Sequence, residues 1–442
     1  MSRSGLLPCL LLIVLPITGF AQGYALNAFP LDDHRAQIAW DGDAVLWTLD
    51  RIEPAGDTLR LGQFPGHVRS TIDEGLTIEL SYTYRLTAMT AGSSFVYTQT
   101  SVVTKLASPA LAGILPLGET RALVWWEQVD ENAEEIILET KEFEFEQYRD
   151  RIRSGARLGW LQVSDLVTKR PYSMRLRAVT PYNRAEPSEV VLYEHVPPML
   201  DWIFLPAGGP QGYEKHMLMT RGEIDNSTYE QFCIERDLPL PDHPDFPGVQ
   251  RYMRRFPFHP VVKVNWYDAI QFCNWVSEKM ALPPAYSDDA SLRNENGIRI
   301  PTWDEWQHAA SLAGGRYPWG SSPPGRSNAN YLARNRKLTA GEPPTLAPAD
   351  IEPGPSGITH LAGNVWEWCF DWAPNENPDD DKQRYRIVAG GSWMDPPARL
   401  RNDRFAKLTP TIRSNTVGLR VIRNAPVPVL KVETVSLAEG AP

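Results

Sequence analysis

An internal repeat constrains the fold of the first half of this chain more than any other feature. The segment that begins at Tyr82 reads YTYRLTAMT, and the segment that begins at Tyr172 reads YSMRLRAVT. Tyr, Arg, Leu, Ala and Thr recur at the same places, 90 residues apart. Both segments alternate with a period of two, as in a strand with one face in a core and the other in solvent. The repeat therefore predicts two similar all-β units.

Each copy of the repeat is preceded by another β-rich run that contains Trp. These runs are residues 38–49 with Trp40 and residues 123–128 with Trp125 and Trp126. A repeat of this length, built from short strands and without paired Cys, predicts seven-stranded sandwiches rather than domains held by a disulfide.

The second copy continues as PYNRAEPSEVV at residues 181–191, which resembles the F–G corner of fibronectin type III modules. We therefore predict fibronectin-like modules at residues 22–106 and 107–197. Such modules are usually spacers; an adhesive loop is the alternative, and no short motif supports one. The prolines of HVPP at residues 195–198 favour extended backbone and mark a domain boundary.

The chain changes character after this boundary. Ten of its 15 Trp lie between Trp202 and Trp393, and helical signals appear. One helix is predicted near residues 225–233, a second is capped by Asn265, and a third opens with the capping box of Thr302 and Glu305. The second helix carries an apolar stripe at helical spacing, made of Ala269, Phe272, Cys273 and Val276. Long loops rich in Gly, Pro and Asn complete a mixed α+β domain.

Eight short motifs follow one another in this part of the chain. They are GEIDNSTY (222–229), PVVKVNWYDA (260–269), RIPTWDEW (299–306), YPWG (317–320), NAN (328–330), GNVWEW (363–368), GGSW (390–393) and GLR (418–420). In this order they resemble the formylglycine-generating enzyme (sulfatase-modifying factor) family, over residues 199–424. The resemblance implies a C-type-lectin-like fold with little regular secondary structure. The predicted fold class is thus two all-β sandwiches followed by a loop-rich α+β C-type-lectin-like domain, with a tail at residues 425–442.

In the catalytic branch of that family, two cysteines shortly after the GGS motif bind copper and oxidise a substrate cysteine. Thiolates suit a soft metal such as Cu(I). Here Asp395 and Leu400 stand at those positions, and Ala389 replaces the usual Arg before GGS. Asp is a hard ligand and Leu is no ligand. The resemblance is therefore to a cysteine-free branch, and we expect no copper site and no formylglycine-generating oxidase activity.

The family also holds structural calcium around the GNxWEW motif. Carried over to this chain, Gly363 and Val365 would offer backbone carbonyls and Glu367 its carboxylate, a set of hard oxygen ligands that suits Ca²⁺. The first position of that site usually carries Asp or Asn, and here it is His360. Asn330 matches a second family calcium site but has no obvious downstream Asp partner.

The resemblance also implies a ligand cleft. Its candidate residues are Trp366, Ser392, Trp393, Asp395, Arg401 and Arg404. The ring faces of two Trp side chains, together with Arg guanidinium groups, could bind an aromatic, a peptide or an anion. In the alternative interpretation both Trp belong to the core and the Arg side chains form internal salt bridges.

Other catalytic sets are missing from the sequence. It contains no HxxxH or HxE pair and no GxSxG, HExxH, P-loop or GxGxxG motif. His308, on the third predicted helix, is interpreted as a structural histidine. We therefore predict a protein that binds a peptide, a protein or a small molecule, or serves as an accessory. The alternatives are a noncanonical periplasmic oxidoreductase or maturation enzyme, acting on a peptide or secondary metabolite, and a surface ligand-display protein.

The N-terminus indicates export. Residues 1–21 read as a signal peptide, with Arg3 ahead of an apolar run at residues 6–17 and a small-x-small site at residues 19–21. The run is shorter than a spanning helix, and no second run of spanning length follows. We expect a periplasmic, extracellular or cell-surface protein without a transmembrane anchor after cleavage.

Charge and cysteine content narrow the function further. The formal net charge of −10 argues against a nucleic-acid-binding surface. The acidic run at residues 379–381 is interpreted as a solvated loop. Beyond the signal peptide, Cys233, Cys273 and Cys369 allow one disulfide and one free thiol, or no disulfide.

Overall fold

The computed structural model describes residues 24–30, 35–77, 80–92, 95–103, 106–130, 133–180, 184–210, 212–332, 340–375 and 383–428. The predicted signal peptide, the acidic run at 379–381 and most of the predicted tail lie outside these residues.

The first unit is a sandwich of a three-stranded and a four-stranded antiparallel sheet. Its strands are β1 (Ala25–Pro30), β2 (Arg35–Asp41), β3 (Leu46–Ile52), β4 (Thr58–Pro65), β5 (Ser70–Glu74), β6 (Ser81–Met89) and β7 (Phe95–Val103). The strand orders are β1-β2-β5 and β4-β3-β6-β7. Trp40, Trp47, Tyr84 and Leu86 are buried between the two sheets.

The second unit repeats this arrangement. Its strands are β8 (Ala110–Pro116), β9 (Ala122–Gln128), β10 (Glu135–Glu142), β11 (Arg149–Gly155), β12 (Trp160–Val163), β13 (Pro171–Val179) and β14 (Val191–Glu194). The strand orders are β12-β9-β8 and β11-β10-β13-β14. Its core is built around Trp126, Leu138, Met174 and Leu176.

The repeated segments are equivalent strands, β6 and β13, and their alternation is confirmed. Side chains at every second position, from Tyr82 in β6 and from Tyr172 in β13, are buried. Each Tyr hydroxyl accepts a hydrogen bond from a backbone N–H five residues upstream, Thr77 at 2.8 Å and Val167 at 3.0 Å. This tyrosine corner is typical of fibronectin-like sandwiches, and it explains why Tyr opens both copies.

The third unit combines helices, short strands and long loops. The helices are α1 (Asn226–Glu235), α2 (Tyr252–Arg255), α3 (Trp266–Lys279) and α4 (Trp303–Ser311). The strands are β15 (Trp202–Leu205), β16 (Met217–Thr220), β17 (Trp366–Trp372), β18 (Arg386–Ala389), β19 (Phe405–Leu408), β20 (Val417–Gly418) and β21 (Ile422–Asn424). They form two sheets, ordered β15-β16-β21 and β19-β18-β17-β20.

The three predicted helices of this unit are confirmed, because their starts are encoded locally. Asp225, Asn265 and Thr302 each cap a helix with a side-chain oxygen. At α3 the capping box is reciprocal: Asn265 accepts from the Asp268 N–H at 2.9 Å, and Asp268 accepts from the Asn265 N–H at 2.8 Å. The predicted apolar stripe of α3 is buried, at Ala269, Phe272, Cys273 and Val276.

The second and third units share one hydrophobic cluster. Leu117 and Leu123 of the second unit are buried together with Trp202 and Phe204 of β15. The ring of Trp160, on the β12-β9-β8 sheet of the second unit, packs edge-on against Phe204 with centroids 4.6 Å apart. The second sandwich is therefore packed into the third unit.

Polar contacts reinforce this junction. The Trp202 N–H donates to the Leu117 carbonyl at 2.6 Å, which extends the backbone pairing across the boundary. Asp201 forms salt bridges with Arg121 of the second unit and with Arg221 after β16. Charge and backbone pairing thus fix the third unit against the second sandwich.

The predicted linker takes part in the same junction. His195, its first residue, is fully buried, and its Nε2 lies 2.8 Å from the Glu119 carbonyl oxygen. Because a carbonyl only accepts, the imidazole donates here. The prolines at residues 197 and 198 therefore follow a residue that is anchored in the second sandwich.

Cys233, Cys273 and Cys369 are buried free thiols, so none of them forms a disulfide. Across the described residues, no helix has both the length and the apolar character needed to span a membrane.

Candidate functional site

Paired glycines carry the chain from β18 into the segment where the resemblance places the ligand cleft. Gly390 and Gly391 have φ angles of +93° and +81°, which side chains of L-residues rarely adopt. A Cβ on Gly390 would lie 2.9 Å from the Leu361 carbonyl oxygen. The GG of the motif therefore permits a sharp exit from the strand.

Asp395 closes the turn that follows. Its Oδ2 accepts hydrogen bonds from the Ser392 hydroxyl and from the Ser392 N–H, the latter at 3.0 Å. The Asp395 N–H donates back to the Ser392 carbonyl at 3.0 Å. Ser392 is buried. The two predicted cleft residues thus lie together, with the carboxylate bonded within the turn.

Leu400 occupies a small apolar cluster. Its side chain is fully buried with Ala329 and Ala362. Three partly buried aromatic side chains surround this cluster, those of Tyr317, Trp319 and Tyr331. A side chain in this position contributes packing only, and it brings no ligating atom to the surface.

Arg401 and Arg404 both approach Asp403. Arg401 pairs with it bidentately, with Nε to Oδ1 at 2.9 Å and Nη2 to Oδ2 at 2.7 Å. The nearest approach of Arg404, its Nε to Oδ1, is 3.8 Å. The hydrogen bonds from Arg401 hold the pKa of the Asp403 carboxyl below its usual value. Arg401 therefore forms an internal salt bridge of the kind that the alternative interpretation describes.

A cavity of about 360 Å³ lies beside this ion pair. Its wall is formed by the C-terminal end of α4, the loop that follows α4, and residues 401–403. The side chains that matter for its chemistry are those of Gln307, Ser311, Arg316, Ser321, Arg401 and Asp403. Among the residues that the structure describes, none in the lining is aromatic. It is a polar, open pocket.

The two Trp of the predicted cleft lie elsewhere. Trp366 is buried in the main hydrophobic cluster, at 7% exposure. Trp393 packs edge-on against Phe246 with ring centroids 6.0 Å apart, and its Nε1 lies 3.5 Å from the Asn415 carbonyl oxygen. Neither ring lines the cavity. The six residues of the predicted cleft are therefore distributed over four separate environments.

Glu367, the predicted calcium carboxylate, is paired with a cation of the protein. Its oxygens accept from the Arg420 guanidinium at 2.7–3.0 Å and from the Trp306 Nε1 at 2.8 Å, four contacts in all. A carboxylate offers about four lone-pair sites. Both Glu367 and Arg420 are 0% exposed. A calcium ion at this carboxylate would have to displace the guanidinium, so these residues do not fit the predicted ligand set.

His360 is an equally poor match for a calcium ligand. It is buried, and burial lowers the pKa of its imidazole to about 4, so the ring is neutral. Its Nε2 lies 3.1 Å from the Ala347 carbonyl oxygen, to which it donates. Its Nδ1 has no hydrogen-bond partner among the described residues. Within those residues, no group of three His, Cys, Asp or Glu side chains is placed to hold a metal ion.

Glu223 is a buried acidic residue that the sequence reasoning missed. Asn364, in the left-handed backbone region with φ of +64°, donates to its two oxygens at 3.1 and 3.3 Å. The Asn364 oxygen accepts from Asn330 at 2.9 Å, and its carbonyl accepts from the Trp393 N–H at 2.9 Å. Burial raises the pKa of Glu223 to about 8. The GEIDN motif contained this signal, an acidic residue inside an otherwise buried stretch.

His308 lies where a structural histidine was predicted. It is fully buried on α4, its ring stacks on Tyr213 with centroids 5.1 Å apart, and its Nε2 lies 3.3 Å from the Pro206 carbonyl oxygen.

Comparison with known proteins identifies the third unit. The profile described as "Sulfatase-modifying factor enzyme 1-like domain" matches residues 214–425. The Chaperone protein LppX of Paenibacillus barcinonensis is 30% identical over 200 residues, which cover 37% of this chain and 70% of LppX. This chain belongs to the sulfatase-modifying factor family. The formylglycine-generating enzyme of Streptomyces coelicolor is 32% identical over 189 residues, or 38% of this chain. The match spans about half of that enzyme's length, 54%.

Solved structures resemble the two halves of the chain separately. PvdO from Pseudomonas aeruginosa covers 51% of this family member at 19% identity and a TM-score of 0.38, with 90% of PvdO matched. A two-module fibronectin type III segment of chicken tenascin covers 39% of it at 16% identity and a TM-score of 0.26, with 98% of the segment matched. The chain is multidomain, with an all-β N-terminal region that has fibronectin-like neighbours and a C-terminal unit of helices and strands.

Proposed function

We propose that this member of the sulfatase-modifying factor family is an exported binding or accessory protein and not a copper-dependent oxidase. The observation that carries the proposal is the hydrogen bonding of one side chain and the burial of another. Asp395 is bonded within its turn, and Leu400 is fully buried in an apolar cluster. These are the positions where the resemblance places the copper-binding cysteines.

The remaining thiols do not substitute for that pair. Burial raises the pKa of Cys233 to about 11, and it raises the pKa of Cys273 and Cys369 further. A thiol is nucleophilic or metal-binding as the thiolate, so thiols held protonated in a core are inert. This favours a structural role for all three.

A binding role is supported by the cavity beside Arg401 and Asp403. Its volume of about 360 Å³ lies within the usual range of roughly 300–1,000 Å³ for small-molecule sites. Its polar side chains provide donors and acceptors of hydrogen bonds. The name of LppX, a chaperone, supports an accessory role within the family.

Metal analysis and oxygen consumption test the proposal on the full-length chain. We expect no stoichiometric copper or iron after purification, and no oxygen uptake with a cysteine-containing peptide after Cu(I) is added. The double variant Asp395→Cys with Leu400→Cys is the matched control, because it restores thiols at both positions and should gain Cu(I) affinity. Copper binding by the wild type as tight as by this variant would overturn the proposal.

Export and calcium are tested separately. N-terminal sequencing of the protein secreted by a bacterial host should begin at Gln22, directly after the predicted cleavage site. Retention of residues 1–21 in the secreted chain would contradict the signal-peptide prediction. Calcium binding stays a prediction of the family resemblance alone, because Glu367 is already paired with Arg420, and the same metal analysis measures it independently of copper and iron.

A further inference from the structure

The charge of the cavity beside α4 points to one class of ligand. Two of its lining side chains, Arg401 and Asp403, neutralise each other through two hydrogen bonds. Arg316 is exposed, and its guanidinium has no hydrogen-bond or ion-pair partner among the described residues. The lining therefore carries a net charge of +1 from one guanidinium. That charge matches a monoanion better than a dianion.

The shape of the charged group narrows the ligand further. A guanidinium is a planar fork of N–H donors that pairs bidentately with a carboxylate or a phosphate. A phosphate ester carries close to two negative charges at neutral pH, whereas a carboxylate carries one. A single partner-free guanidinium thus balances a carboxylate.

The rest of the wall favours a ligand rich in hydroxyl groups. Gln307 presents an amide, Ser311 and Ser321 present hydroxyls, and Asp403 presents a carboxylate. The amide and the hydroxyls both donate and accept hydrogen bonds and the carboxylate accepts them, so the wall can pair with both roles of a ligand hydroxyl. Because none of the described lining residues is aromatic, they offer no stacking surface for an aromatic ligand.

We propose that this cavity binds a sugar acid, with the sugar carboxylate on Arg316 and the sugar hydroxyls on Gln307, Ser321 and Asp403. The proposal rests on the binding function proposed above, and it names the ligand class of that site. Because the pocket is open to solvent, the sugar acid could be free or form the end of an acidic polysaccharide.

Isothermal titration calorimetry with the full-length chain at low ionic strength tests the assignment. The probes are glucuronate, galacturonate, a galacturonate trimer, glucose and glucose 6-phosphate. We expect at least one uronate to bind, and glucose to bind at least tenfold more weakly because it lacks the carboxylate. Tighter binding of the trimer than of galacturonate would identify a polysaccharide end, and equal binding would identify the free acid.

Two arginine variants give the matched comparison. Arg316→Gln keeps a polar side chain of similar reach but removes the charge, and it should weaken uronate binding roughly 10- to 100-fold. Arg157→Gln, on the second sandwich, changes another exposed arginine and should leave binding unchanged. Thermal unfolding of the variants should match the wild type, because the Arg316 guanidinium has no partner among the described residues to lose.

Three results would overturn the sugar-acid assignment. They are the absence of uronate binding by the wild type, equal uronate affinity of Arg316→Gln and wild type, and tighter binding of glucose 6-phosphate than of either uronate. None of these bears on copper or oxygen consumption, so a failure of this assignment is distinguishable from a failure of the proposed function.

Discussion

The junction between the second sandwich and the family domain makes a quantitative prediction for Trp160→Ala. Truncating a buried Phe or Trp to Ala costs about 3–5 kcal/mol. Trp160 is only partly buried, which roughly halves that cost, and its edge-on contact with Phe204 at 4.6 Å adds about 0.5–1.5 kcal/mol. We therefore expect the free energy of unfolding of the shared cluster to fall by about 2–4 kcal/mol.

Differential scanning calorimetry and urea titration of the full-length chain measure this effect. In the wild type the second sandwich and the family domain should unfold in one cooperative transition, because they share a hydrophobic cluster. Trp160→Ala should lower that transition and separate it into two. Phe143→Ala is the matched aromatic control, since Phe143 lies in the same sandwich but is 87% exposed. It should change stability by less than about 0.5 kcal/mol.

Equal stability of Trp160→Ala and Phe143→Ala would contradict a stabilising contact at this junction. Two independent unfolding transitions of the sandwich and the family domain in the wild type would contradict it as well. A related consequence concerns truncation: a fragment that begins at residue 199 would expose Trp202 and Phe204, which the sandwich covers. Function is therefore best measured on a chain that retains the second sandwich.

Three further predictions concern buried polar groups. Arg420→Gln should lower the free energy of unfolding by about 3–5 kcal/mol in urea titrations, because Glu367 would stay buried without its cation; a loss below 1 kcal/mol would contradict this. Burial raises the pKa of Glu305, but hydrogen bonds from Arg299 outweigh it and hold the pKa below the ordinary value of 4.5. The stability that ionised Glu305 contributes to the fold is therefore fully present above pH 4.5, and it is lost as pH falls through the lowered pKa. Glu305→Gln should weaken the acid dependence of stability, and an unchanged pH profile would exclude this role. Asp395→Asn should lower the free energy of unfolding by about 1–2 kcal/mol, since one carboxylate oxygen accepts two hydrogen bonds. If this variant is as stable as the wild type, Asp395 has no structural role and again becomes a candidate ligand-binding residue.

The parts of the fold that were predictable from the sequence are those encoded by neighbouring residues. The alternation that begins at Tyr82 and Tyr172 defines β6 and β13, because successive side chains in a strand point to opposite faces of the sheet. The capping box at Asn265 places the start of α3, because the cap and its partner are three residues apart. Fold class followed from such local signals together with the order of the family motifs.

The site was less predictable because its chemistry depends on partners that are distant in sequence. Glu367 and Arg420 are 53 residues apart, and only the fold shows that the carboxylate is already paired. The same holds for Trp366, whose burial in the main cluster depends on packing between several elements. Arg316 was not among the predicted site residues, because the YPWG motif that follows it carries no signal for a neighbouring pocket. Short sequence motifs therefore indicate which residue types are present at a site, but they do not predict the distant residues with which these pair.

The backbone pairing of Trp202 with Leu117 has a mechanical consequence. Tension applied through the first sandwich would pass along the covalent chain into a junction whose two sides are held together by this hydrogen bond and by a packed Trp–Phe contact. The second sandwich then fixes the orientation of the family domain relative to any partner that holds the N-terminal region. In a single-molecule pulling experiment, the second sandwich and the family domain would unfold in one event.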